Sequence, residues 1–119
     1  MTDKINKIKV ANKEIIVIDY SDCNENKIIE ILAKARELIR EENKPQRVLA
    51  IFNSNSFLTT NVMHAFNSDR LDSSLLERQA AIGVTNAKRW IIKNNNTIHN
   101  NTIRVFDHEQ DALDFLSGE

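Results

Sequence analysis

Residues 47–66, RVLAIFNSNSFLTTNVMHAF, decide how the chain folds, because an apolar run, a polar loop and a new apolar helix face follow one another there. Val48, Leu49, Ala50, Ile51 and Phe52 are consecutive apolar residues, a pattern that suits a strand covered on both faces. Such a strand belongs in the middle of a sheet. Asn53 to Ser56 carry short polar side chains that bond local backbone in turns, and Thr59 is placed to cap a helix carrying Val62, Met63 and Phe66. A strand end, a loop and a helix start therefore meet. In open α/β sheets ligands and partners gather at such places, so this segment is where a site is expected first.

To the N-terminal side, Glu14 to Tyr20 (EIIVIDY) reads as a strong strand. Ile5, Ile8 and Val10 form a weaker, exposed one that pairs with it as an antiparallel hairpin across Ala11, Asn12 and Lys13. Ile28, Ile31, Leu32, Ala35, Leu38 and Ile39 follow helical spacing, with Lys27, Glu30, Lys34, Glu37 and Glu41 on the opposite side. Asn43, Lys44 and Pro45 end that helix.

To the C-terminal side, a second helix runs from about Thr60 towards Glu77, interrupted at Asn67 to Asp69 and at Asp72 to Ser74. Ala80, Ala81, Ile82 and Val84 make a buried strand in which Gly83 leaves room for a close neighbour. Thr85 or Asn86 caps a third helix bearing Ala87, Trp90 and Ile91, and Asn94 to Asn101 read as a loose connection. Ile103 to Phe106 is the last strand. Asp107 with Gln110 resembles a capping box ahead of Ala112, Leu113 and Leu116.

The order is β-β-α-β-α-β-α-β-α, which predicts an α/β fold: a mixed, mainly parallel sheet of about five strands with flanking helices. Residues 1–119 are one domain, long enough to bury roughly two thirds of the unfolded surface. With 16 basic and 17 acidic residues the net charge is -1, so there is no global field to gather nucleic acid, and no nucleic-acid partner is expected. Cys23 is the single cysteine, which rules out an internal disulfide. The first ten residues, MTDKINKIKV, lack the apolar run of a secretion signal, so a cytoplasmic chain is expected. Apolar runs of five residues fall far short of the ~20 needed to span a bilayer, so an integral membrane protein is not expected.

Four segments then resemble a known family: EIIVIDYSD at 14–22, RVLAIFNSNSFLTTN at 47–61, AAIGVTNAKRWII at 80–92 and VFDHEQDALDFL at 105–116. Together they are similar to the small bacterial SpoIIAA-like proteins of the STAS superfamily, also called STAS/SEC14-like. The resemblance implies a STAS-like fold and a non-enzymatic regulatory or protein-interaction module, with signalling regulation through a protein partner. Its contact loop would be Asn53, Ser54, Asn55, Ser56, Phe57, Thr59 and Thr60. A homodimer also fits, because STAS-like domains pair and the first strand is an exposed edge. The SEC14-like label implies the alternative, binding of a lipid or small apolar ligand, for which Phe57, Leu58, Met63 and Phe66 are candidate lining residues.

Anti-sigma-factor antagonists of this superfamily carry Asp-Ser-Ser-Gly-Leu after the central strand, with a phosphorylated serine. Leu58, Thr59, Thr60, Asn61 and Val62 stand there in this chain, which makes Thr60, then Thr59, the phosphoacceptor candidate. The acidic residue and the glycine are absent, which favours an ordinary cap-region role. Asp72, Ser73, Ser74, Leu75 and Leu76 copy the motif more literally without a preceding strand, and read as a surface helix start.

Other chemistry is sparse. His64, His99 and His108 have no metal-ligand spacing with Cys23, so neither metal nor cofactor is expected. Cys23 lacks a partner base. Asp19 either bonds local backbone or marks the functional edge, and the first reading is favoured. No phosphate-cradling glycine loop or nucleophilic triad can be argued from spacing, so no catalytic residue is assigned. Lys88, Arg89 and Lys93 beside Trp90 form either an anion contact or a solvated helix face with Trp90 covering the core, and the second reading is favoured.

Overall fold

The computed structural model describes residues 4–68, 73–99 and 103–118. Five strands form one sheet in chain order: β1 (Ile5–Val10), β2 (Lys13–Asp19), β3 (Gln46–Ile51), β4 (Leu76–Ile82) and β5 (Ile103–Phe106). β1 runs antiparallel to β2, and β2 through β5 are parallel. Helices α1 (Glu25–Glu42), α2 (Thr60–Ser68) and α3 (Arg89–His99) fill the three crossovers, and α4 (Glu109–Ser117) follows β5. The fold is α/β with a mixed, mainly parallel sheet, and β3 lies at its centre.

An unreversed strand order with right-handed crossovers places α1, α2 and α3 on one face of the sheet. The side-chain alternation agrees. Ile16, Ile18, Val48 and Ala81 join Ile28, Leu32, Val62 and Ile92 in the larger core. Ile15, Leu49 and Ala80 point the other way, onto Ala112 and Leu116 of α4. Cover on both sides accounts for the apolar run from Val48 to Ile51 in β3, and the two polar residues that open the strand, Gln46 and Arg47, are buried with hydrogen-bond partners.

Local chemistry sets the ends of the elements. Ala11 and Asn12 both have positive φ, 50° and 67°, the backbone of a two-residue turn matched to the twist of a hairpin. The Asn24 side chain accepts from Lys27 N and caps α1, whose last turn closes on Asn43 in the left-handed region. Thr59 caps α2, its hydroxyl accepting from Val62 N at 3.2 Å. Gly83, with φ +78°, lets the carbonyl of Phe52 approach where a Cβ would sit.

Three expectations are corrected. The second helix does not continue towards Glu77: α2 ends at Ser68, a 3-10 turn covers Ser73–Leu75, and β4 starts at Leu76, four residues before the expected strand. Glu77 and Arg78 are held in that strand by distant partners, Arg47 for one and α4 for the other. Asn94 to Asn96 lie inside α3, which begins at Arg89 after a 3-10 turn at Asn86–Lys88. Asp107 does not cap α4. The cap position is His108, without a side-chain bond, while Asp107 pairs with Arg89 and Gln110 bonds Asp114. Asp69, Asp72, Asn100 and Asn101 fall outside the described residues.

Two buried arginines finish helices. Arg36 of α1 donates to the carbonyls of Ala65 and Phe66 in α2. Arg47 of β3 donates to the carbonyls of Leu116, at 2.6 Å, and Gly118 at the end of α4, and pairs with Glu77 at 3.2 Å. Each places a cation at the negative end of a helix dipole.

Candidate functional site

The parallel strands deliver three connections to one rim of the sheet: Tyr20 to Asn24 after β2, Phe52 to Thr59 after β3, and Gly83 to Thr85 after β4. The ladder continues into them, since Tyr20 N donates to Ile51 O at 2.7 Å and Phe52 N to Ile82 O at 2.9 Å.

Side chains then lock the first two loops together. Asn53 Oδ1 accepts from Asp22 N at 3.0 Å, while Asn53 Nδ2 and Asn55 Nδ2 donate to Asp22 Oδ1 at 2.9 and 3.0 Å. Those two amides hold the Asp22 carboxyl below its usual range, Asn55 contributing most. Phe57 N donates to Cys23 O at 3.0 Å, and Thr59 Oγ1 to Glu25 Oε1 at 2.6 Å. Lys88 ties in the third connection by donating from Nζ to Ser56 O at 3.2 Å. The asparagines of the loop are thus reciprocal partners of Asp22, not a solvated spacer.

The expected contact residues divide by exposure. Ser54, Asn55, Phe57 and Thr60 are exposed, and Asn53 and Thr59 are half-buried. Ser56 faces inward, its hydroxyl donating to Tyr20 O at 2.9 Å, so it fastens the loop. Phe57 is 56% exposed, the largest exposure among the described bulky apolar side chains. Trp90 is 53% exposed and does not cover the core, where Ile91 and Ile92 take that place.

Of the basic trio, Lys88 donates to Ser56 O, Arg89 pairs with Asp107, and Lys93 has a partner of its own. Asp19 accepts from Ser21 N at 2.9 Å and Ser21 Oγ at 2.5 Å, a local turn. Cys23 is buried, and among the described residues no group of three His, Cys, Asp or Glu side chains could hold a metal ion. None of the described helices is long and apolar enough to cross a membrane.

Between the sheet and α1, α2 and α3 lies a cavity of about 120 Å³. Of the residues expected to line an apolar pocket, Met63 and Phe66 do so, whereas Phe57 points to solvent and Leu58 belongs to the core. Three polar side chains interrupt its apolar wall: Tyr20, Arg36 and Gln79. Sequence reasoning missed all three. For Arg36 a signal existed, because it stands eight residues after Ile28 and four after Leu32, on the apolar stripe of α1.

No family model, no curated protein and no solved structure matches the chain.

Proposed function

We propose that the chain is a non-enzymatic, STAS-like regulatory module that acts by protein contact, with the rim around Asn53 to Thr60 as its docking surface. The observation that carries this reading is the exposure of Phe57 on a loop tied down by the Asp22, Asn53, Asn55 and Lys88 bonds, with Trp90 exposed two residues beyond Lys88. Aromatic side chains have only two side-chain torsions and so lose little conformational freedom when a partner covers them, and such residues dominate interface energies. The four-segment resemblance supplies the regulatory class. Within it Thr60 is the phosphoacceptor candidate, because it is exposed while the Thr59 hydroxyl is committed to the α2 cap and to Glu25.

The test is quantitative capture from the source cells with three baits: the natural chain, Phe57→Asp, and Lys34→Glu on the solvent face of α1. A specific protein retained at fixed stoichiometry by the first and third is expected to fall by about 30-fold on Phe57→Asp, the loss of one interface anchor of ~2 kcal/mol. Equal melting temperatures confirm that the variant is folded. Equal retention by all three baits rejects the rim as the contact surface.

A further inference from the structure

We infer that the cavity between the sheet and α1, α2 and α3 is a binding site for a small, largely apolar molecule of single-ring size bearing one hydrogen-bond acceptor, to which the Tyr20 hydroxyl donates. The site shares Tyr20 and Phe52 with the connections of the rim but stands without the contact reading.

Size decides what can enter. At about 120 Å³ the space is slightly below the ~150 Å³ known to admit benzene, and well below the ~300 Å³ at which ordinary cofactor pockets begin. Every supporting element contributes apolar side chains, with Leu32 and Ile39 from α1, Met63 and Phe66 from α2, and Val48 and Ala81 from the sheet. Tyr20, Arg36 and Gln79 are the polar exceptions, Arg36 being engaged by the carbonyls of Ala65 and Phe66.

Polarity decides which small molecule. Tyr20 is 1% exposed, its ring stacked on Phe52 at 5.1 Å and tilted against Phe66 at 6.2 Å. Tyr20 is among the residues lining the cavity, and its hydroxyl has no hydrogen-bond partner among the described residues. Burial pushes the phenol pKa up, so at neutral pH it carries its proton and donates. Gln79, also in the wall, leaves its amide without a described partner. A buried hydroxyl left unpaired is costly, and an apolar core would place phenylalanine here. A ligand with an acceptor oxygen satisfies the hydroxyl, whereas a hydrocarbon of the same shape does not.

The probes are phenol and toluene, near-isosteric molecules that differ by the polar group, titrated onto the full chain by calorimetry and ligand-observed NMR. The natural protein is expected to bind phenol one to one, at least as tightly as toluene, although phenol loses more hydration on entry. Tyr20→Phe, which keeps the stacked ring, is expected to weaken phenol by about tenfold and leave toluene unchanged, reversing the order. Ala35→Leu, which extends into the space from α1, is expected to abolish both. Preference for toluene in the natural protein, an unchanged preference in Tyr20→Phe, or no binding of either probe overturns the assignment. Should Ala35→Leu fail to fold, the Tyr20→Phe comparison decides alone.

Discussion

Replacing Gly83 with alanine should be among the most damaging single-methyl additions in the chain. The new Cβ would lie 1.7 Å from the carbonyl oxygen of Phe52, half the 3.4 Å at which ordinary contact begins, and the obstacle is backbone. The φ of +78° adds a second penalty, about 1–2 kcal/mol for an ordinary L-residue in that region. To relieve the clash β3 and β4 must part where Phe52 N donates to Ile82 O at 2.9 Å, and losing that bond costs roughly another 1–2 kcal/mol. The sum, about 3 kcal/mol, is a large share of a typical domain's ~5–15 kcal/mol. For a chain of this size it lowers the melting temperature by roughly 10–15 °C. Urea denaturation should show an earlier midpoint with an unchanged slope. Gly83→Asn separates the two causes, since asparagine tolerates positive φ but carries the same Cβ. If contact with Phe52 dominates, asparagine falls nearly as far as alanine. A Gly83→Ala protein that melts within about 3 °C of the natural one, a loss below ~1 kcal/mol, refutes the reasoning.

Arg47→Met should cost about 2–4 kcal/mol, because the carbonyls of Leu116 and Gly118 lose a charged donor, and amide exchange should show the end of α4 opening first. The same variant should flatten the acid limb of the stability curve. Arg47 holds the Glu77 carboxyl below its usual range, so that stabilisation is present above the ordinary carboxylate pKa and lost as pH falls through the folded one. At the alkaline end, the folded pKa of Tyr20 lies above the unfolded value of ~10, so its contribution is full below that pH and declines as pH rises through the folded value. Tyr20 is the chain's single tyrosine, so phenolate absorbance should appear only with unfolding, and Tyr20→Phe should remove the alkaline slope.

How legible each element was depended on whether its partners are near in sequence. β2, β3 and α1 declare themselves, because Ile15 to Ile18, Val48 to Phe52 and the stripe from Ile28 to Ile39 each carry a complete periodic pattern. β4 does not. Glu77 and Arg78 look like the solvent side of a helix, and what makes them a strand lies far away: Arg47 across a bulge for Glu77, and the Phe115 carbonyl and ring for Arg78. Exposure at the rim is equally a tertiary outcome, since Phe57 and Leu58 are alike in sequence and only the bond from Phe57 N to Cys23 O and the burial of Leu58 set one outward and the other inward.

The cavity could not be read from the chain at all, because it is a shortfall shared among elements that meet only in the fold. Ala35 of α1, Ala50 of β3 and Ala81 of β4 are each unremarkable as core residues, yet all three line the same space and none is long enough to fill it. The side chains lining that partly open space forgo packing energy on one side. Leucine at any of those positions would recover part of it. A wall that combines small side chains with a buried, unpartnered phenol gives up packing energy and hydrogen-bond energy at the same point, and a ligand that occupies the volume while accepting from Tyr20 restores both together.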